Sequence, residues 1–217
     1  MTAVIFDLDG TLIDSLADIA ASLNHALAEA GLPTHTIDEV RGLVGYGASE
    51  LVRGALPPEH RDARFADVLA RYRARYRSHL IVETRPYEGI VEVLEALDAR
   101  GIAKAVLTNK PHAASVELVE QLFARFRFDA VLGQKDGIPH KPDPTGALEI
   151  ARALGVPPAS IVFVGDGDTD MRTARSAGML AVGCLWGFRD RAALEAAGAH
   201  HLIAHPRELL PIIDSRS

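Results

Sequence analysis

A single cysteine, Cys184, occurs among 217 residues. That excludes an internal disulfide and fits a reducing compartment, expected to be the cytoplasm. Lysine is nearly as scarce: only Lys104, Lys110, Lys135 and Lys141 occur, and arginine supplies the other strong cations. Long apolar runs are missing. Nothing approaches the roughly 18 consecutive apolar residues that read as a membrane span. Net positive charge is missing as well. The formal charge of −6 gives no reason to expect a nucleic-acid partner. No basic segment precedes the first apolar residues, so no export signal is read there. The composition is 48% hydrophobic, ordinary for a soluble globular protein. The length allows one large domain, or one domain with an insertion.

Short apolar runs are plentiful, and each stops at Gly, Asp, Thr or Asn. They cover Val4–Phe6, Ala103–Leu107, Ala130–Leu132, Ile161–Val164 and Leu180–Cys184, with a weaker run at Leu202–Ile203. Fully apolar runs of this length suit strands covered on both faces. Helical patterns separate the later runs, over 89–99, 113–123, 144–154 and 169–177. Strand and helix in alternation predict an α/β fold with a doubly wound parallel sheet.

The interval between the first two runs breaks this rhythm and reads as helices only. Ser15 with Asp18 predicts a capping-box start, and Leu16, Ile19, Leu23 and Leu27 make one apolar stripe that Gly31 and Pro33 end. Thr36 with Glu39 offers a second start. A third helix follows Gly45-Tyr46-Gly47, and a long arginine-rich one runs from about Pro58 to His79. Residues 15–84 therefore read as a helical domain inserted into a core made of 1–14 and 85–217. The chain crosses between the two near Asp14-Ser15 and Thr84-Arg85-Pro86.

Ligands in open parallel sheets sit at the carboxyl ends of the strands. Four segments follow the strands here: Asp7-Leu8-Asp9-Gly10-Thr11, Thr108-Asn109-Lys110, His140-Lys141-Pro142, and Gly165-Asp166-Gly167-Asp168-Thr169-Asp170. They bring acids, one lysine, a hydroxyl and glycines, and no Ser/His pair. Carboxylates crowded in one cleft raise one another's pKa. A divalent cation and Lys141 would relieve that repulsion, and Mg²⁺ suits hard oxygen ligands beside a phosphate. The same pair would cradle a transferring phosphoryl group. One aspartate could then attack phosphorus while its neighbour moves the proton. Asp168 is expected to face solvent without a role.

These four segments, in this order, resemble the haloacid-dehalogenase-like hydrolase superfamily along the whole chain. The resemblance implies Asp7 as nucleophile and Asp9 as general acid and base. It implies Thr108 and Lys141 as partners of the phosphoryl group, with Lys141 also steadying the nucleophile. Mg²⁺ would be held by Asp7, Asp166 and the main-chain carbonyl of Asp9, with Asp170 supporting the site. The helical insertion would be the family's cap, closing over the site to shed water and select the substrate. Asp9 favours phosphoryl transfer over dehalogenation. No lysine lies between residues 15 and 85, which disfavours the Schiff-base chemistry of phosphonoacetaldehyde hydrolases. The basic cap pattern of β-phosphoglucomutases is not matched, and a transmembrane P-type pump lacks its spans.

A phosphomonoesterase remains. The stretch Leu43-Val44-Gly45-Tyr46-Gly47-Ala48 and the run Thr108-Asn109-Lys110-Pro111 look like phosphoglycolate phosphatases. Gly45, Tyr46 and Gly47 are expected to face the substrate with Thr108, Asn109 and Lys141, since a glycine turn opening a helix offers N–H groups to an anion. The expected substrate is 2-phosphoglycolate. Alternatives are the same chemistry on a sugar phosphate, nucleotide or pyrophosphate, or a non-enzymatic phosphoacceptor. Partners are a small phosphorylated metabolite and no membrane, with the chain a monomer or homodimer. Arg71 with Arg75, and Arg73 with Arg77, read as rows on a solvated helix face with Tyr72 and Tyr76 packed inward.

Overall fold

The computed structural model describes residues 2–215. In chain order, the core opens with β1 (Ala3–Phe6) and the short β2 (Ile13–Asp14). Four helices follow: α1 (Leu16–Glu29), α2 (Ile37–Leu43), α3 (Ala48–Ala55) and α4 (Arg61–Ser78). The chain returns through β3 (Arg85–Pro86) and continues with α5 (Ile90–Ala99), β4 (Ala103–Pro111), α6 (His112–Leu122) and β5 (Ala130–Gln134). The last part comprises α7 (Thr145–Leu154), β6 (Ile161–Gly165), α8 (Asp168–Ser176), β7 (Leu180–Cys184), α9 (Arg191–Ala196), β8 (His201–Ile203) and α10 (Leu209–Asp214). The main sheet is parallel, in the order β5-β4-β1-β6-β7-β8. The α/β class and the parallel sheet agree with the sequence reading. Two short terminal-half helices, α9 and α10, carry patterns too brief to be read beforehand.

The sheet is buried on both faces, which is why its strands are apolar throughout. Successive side chains of a strand point to opposite faces. Val4 and Phe6 of β1 therefore pack in one cluster with Leu94, Leu97 and Leu118 from α5 and α6. Ala3 and Ile5 pack in the other with Ile150 of α7 and Met171 of α8. Each large side chain buried this way contributes roughly 1.5–3 kcal/mol.

The four inserted helices extend the first of these clusters. Leu16, Ile19, Leu23 and Leu27 form the buried stripe of α1, which lies against α4. Thr36 and Glu39 make the expected capping box at the start of α2. The box expected of Ser15 and Asp18 does not form. Ser15 Oγ donates to Asp9 Oδ1 at 2.5 Å instead. Asp18 accepts from the N–H groups of Val82, Glu83 and Thr84 at 2.9–3.1 Å and from the Thr84 hydroxyl at 2.6 Å. A buried carboxylate offered four donors by the returning chain has no reason to turn back onto its own helix end. The two crossing segments also pair as an antiparallel ribbon, Ile13 opposite Pro86 and Asp14 opposite Arg85. Among the described residues no helix is long and apolar enough to cross a membrane.

Asp18 thus ties the outgoing and returning chain together. Burial alone would raise its pKa, but the donors outweigh burial and hold it below the usual value. Asp18→Ala would leave buried N–H groups unpaired, at a cost of about 1–3 kcal/mol. Thermal melts at pH 7 should show a Tm lower by several degrees. The sign with pH follows from the depressed pKa. The contribution is complete above the unfolded value of about 3.9 and fades as pH falls through the lower folded value, so the Tm gap should close only in that acid range. Equal Tm values at pH 7 would contradict this role.

Candidate active site

The connection after β5 carries the chain across β1, so strand order reverses at β1 and leaves a crevice at the carboxyl ends of β1, β4 and β6. Asp7 follows β1 directly. Its Oδ1 accepts from Leu8 N–H at 2.7 Å and lies 2.8 Å from Lys141 Nζ. Asp166 follows β6 and accepts from the Thr11 hydroxyl at 3.1 Å and from Phe188 N–H at 2.8 Å. Asp170 sits in the first turn of α8. It accepts from Gly167 N–H at 2.9 Å and pairs with Lys141 Nζ at 2.6 Å. All three acids are buried, and one carboxylate oxygen from each lies within 4.8 Å of the others.

Burial is the largest influence on these acids. Burial and then the Asp170 charge push Asp7 up to about 7, against the opposing pull of Lys141. Burial and then the charges of Asp7 and Asp170 push Asp166 up to about 8. For Lys141 burial works the other way, but Asp170 and Asp7 overcome it and keep the ammonium charged. One cation is too few for three buried carboxylates. The donors are hard oxygens, converging and under-neutralised, so the residues present fit a divalent ion such as Mg²⁺. Asp9 is not one of this group. Its carboxylate turns to Ser15 and to Lys110 Nζ, 2.8 and 2.9 Å away.

Two glycines make the cluster possible. A Cβ on Gly10, whose φ is +83°, would stand 2.3 Å from Asp166 Oδ2. A Cβ on Gly187 would stand 2.2 Å from the Asp166 Cβ. The backbone must pass this close for the carboxylate to reach its donors.

Above the acids lies a cavity of about 470 Å³, walled by the sheet ends on one side and by α3 and α4 on the other. Asp7, Asp9, Thr108, Asn109, Asp166 and Asp170 line it, and so do Gly45 and Gly47. Lys141 is buried and reaches the acids without lining this cavity. The Asn109 amide donates to Gly45 O at 2.9 Å and to Lys141 O at 3.1 Å, and its oxygen accepts from Lys141 N–H at 2.8 Å. Its polar contacts therefore join the insert to the Lys141 loop.

Tyr46, expected to face the substrate, does not line the cavity. Its hydroxyl donates to Asp168 Oδ1 at 2.9 Å, and the Arg189 guanidinium lies over its ring. Two left-handed or open turns at Gly45 and Gly47 expose backbone to the cavity and swing the intervening side chain outward. Asp168, expected to face solvent, is 17% exposed and holds this hydroxyl. The arginine rows also differ from one another. Arg71 pairs with Asp67 and Glu29 on the outer face, whereas Arg73 and Arg77 line the cavity. Tyr72 and Tyr76 are buried, as expected.

Lys110, Tyr76 and Arg189 also line the cavity, beyond the residues the sequence points to. Lys110 stands two residues beyond Thr108 on one strand, hence on the same face, and that spacing was a usable signal. Arg189 donates to the carbonyls of Arg41 and Val44 at 3.0 and 2.6 Å, satisfying the end of α2 from the core side. No local pattern announces that pairing across almost 150 residues.

With Asp7 pushed up to about 7 and Asp166 to about 8, a divalent ion competes with protons for these carboxylates. Mg²⁺ affinity should therefore rise from pH 6 to pH 8, with protons released on binding. Titration calorimetry in two buffers of unlike ionisation heat measures that release. Affinity independent of pH over this range, without proton release, would contradict the electrostatics above.

Residues 4–184 match the family model described as haloacid dehalogenase-like hydrolase. A phosphoglycolate phosphatase of Aquifex aeolicus is 33% identical, over 99% of this chain and 98% of that protein. One of Agrobacterium fabrum is 37% identical, over 86% and 81%. A crystal structure from Lactobacillus delbrueckii subsp. bulgaricus, a candidate phosphoglycolate phosphatase, shares 32% identity and a TM-score of 0.91, over 98% of this chain and 99% of that one. The sheet order, the acidic cluster at its switch point and these likenesses agree, and the chain belongs to the haloacid dehalogenase-like hydrolase family.

Proposed function

We propose that this protein is a Mg²⁺-dependent phosphatase acting on a small phosphate monoester, 2-phosphoglycolate first, through an aspartyl phosphate on Asp7. The observation that carries the reading is the division of labour among the acids. Asp7, Asp166 and Asp170 converge around Lys141, whereas Asp9 faces the same cavity on a separate arm. Mg²⁺ bound by Asp7, Asp166 and the Asp9 main-chain carbonyl, with Asp170 in support, would neutralise phosphoryl charge.

The Asp7 carboxylate attacks phosphorus, and the ester oxygen leaves with a proton from Asp9. Asp9, now ionised, takes a proton from water. That water attacks the phosphorus of the aspartyl phosphate, releasing inorganic phosphate and restoring Asp7. Lys141 holds Asp7 in place and offsets charge, and the Thr108 hydroxyl at the cavity wall meets the phosphoryl oxygens. The inserted helices act as the cap, and the crossing ribbon of β2 and β3 is its hinge. A phosphoacceptor without turnover would have no use for Asp9 beside Asp7.

The relatives named above support phosphoglycolate, and the Gly45–Gly47 turn at the start of α3 suits a small carboxylate. A cavity of about 470 Å³ favours a second reading with the same chemistry on a larger ester, such as a sugar phosphate. The single buried cysteine agrees with the cytoplasm as the compartment.

Phosphate release from 2-phosphoglycolate should be measured beside sugar phosphates, nucleotides and pyrophosphate, with Mg²⁺ and with chelator. Phosphoglycolate should turn over best, chelator should stop it, and Asp7→Asn should reduce it to background. Asp9→Asn should keep Mg²⁺ binding and lose roughly 10²–10⁴-fold in kcat. Preference for another ester would replace the substrate but not the mechanism. Undiminished activity in Asp7→Asn would remove the mechanism.

A further inference from the structure

Lys110 occupies an unusual position for a residue outside the four expected roles. It ends on the same face of β4 as Thr108, and its side chain is only 3% exposed. Its ammonium donates to both oxygens of Asp9, at 2.8 and 2.9 Å, and to the Tyr76 hydroxyl at 2.5 Å. These three acceptors account for all three ammonium protons. Two-point contact fixes the plane of the Asp9 carboxylate as well as its distance. Ser15 Oγ, from the crossing segment, fixes Oδ1 from another side.

The third acceptor belongs to a different body of the molecule. Tyr76 lies on α4 of the insert, stacked on Tyr72 with ring centroids 5.6 Å apart. Lys110 Nζ also lies 4.5 Å from the Tyr76 ring centroid, a cation–π distance. Burial raises the Tyr76 phenol well above its usual range, so it remains a neutral hydroxyl. Apart from Ser15 at the crossing point, the insert meets the Asp9 arm through one hydroxyl and one ring face, and both fall on Lys110.

We propose that Lys110 is a positioning residue for Asp9, and that Tyr76 completes its seating when the insert lies over the core. This rests on the reading of Asp9 as proton carrier. With the insert closed, Lys110 is locked on three sides in a dry wall and Asp9 is held beside the cavity. With the insert swung away, Lys110 loses its aromatic wall and third acceptor, and water weakens the ion pair. Closure then organises proton transfer as well as excluding water. Neither Lys110 nor Tyr76 needs to touch the substrate for this.

The test uses Lys110→Met, Lys110→Arg, Tyr76→Phe and the double variant of Lys110→Met with Tyr76→Phe. Tyr76→Phe keeps the ring and its stacking. Lys110→Met should lower kcat roughly 10- to 100-fold, part of the general acid–base contribution, with KM within about threefold. Tyr76→Phe should lower kcat about 3- to 10-fold, a part of what one hydrogen bond from a charged donor contributes. The double variant should be no slower than Lys110→Met alone, because Tyr76 acts through Lys110. Lys110→Arg should recover part of the rate.

A raised KM with unchanged kcat in Lys110→Met would overturn the proposal by making Lys110 a substrate contact. Additive losses in the double variant would break the link through Tyr76. Should Lys110→Met fail to fold, Tyr76→Phe decides alone, and a wild-type kcat there overturns the proposal. Asp9→Asn separates the two levels. If it loses activity while the Lys110 and Tyr76 variants do not, the positioning role fails and the reading of Asp9 stands. If Asp9→Asn is itself fully active, the underlying reading fails.

Discussion

Three carboxylates and one ammonium lie buried together where the order of the sheet reverses, and much of the surrounding structure exists to keep them there. Like charges so close, away from water, repel. Burial first, and this repulsion after it, push Asp7 and Asp166 up to about 7 and 8. Neighbouring backbone must supply donors at short range, and it does so from Leu8, Gly167 and Phe188. The bare backbone at Gly10 and Gly187 follows from that demand, since any side chain there would occupy the Asp166 carboxylate's place. The apolar strands beneath supply the rigidity. A site this crowded would fall apart on mobile loops.

The second organising feature is the seam between the insert and the core. Asn109 reaches Gly45 O, Arg189 caps the end of α2, Tyr46 reaches Asp168, and Lys110 reaches Tyr76. These contacts are polar and spread around the cavity rim, while the apolar cluster on one face of the sheet runs on into the inserted helices. The ribbon of β2 and β3, with Asp18 gathering the N–H groups of 82–84, keeps the crossing point fixed.

The strands were legible in the sequence because both faces of the sheet are covered, which leaves unbroken apolar runs. The four segments at their ends were legible because topology brings strand ends together however far apart they lie in the chain. Asp7, Asp166, Asp170 and Lys141 meet for that reason. What escaped the sequence was set by side chains choosing between near and distant partners. Ser15 and Asp18 fit a capping box locally, yet the distant Asp9 and the 82–84 backbone hold them. Tyr46 sits between two glycines and turns outward to Asp168. Lys110 lay within a recognised segment, but its partner Tyr76 comes from a helix whose placement no local pattern specifies.

The central claim is that Asp7 carries the phosphoryl group in transit. Acid quench of the enzyme turning over 2-phosphoglycolate labelled in its phosphoryl group, followed by peptide mapping, tests it most directly. The account predicts label on the peptide containing Asp7, formed within one turnover, lost on further incubation and missing from Asp7→Asn. Steady turnover with no labelled peptide, or label on another residue, would contradict it.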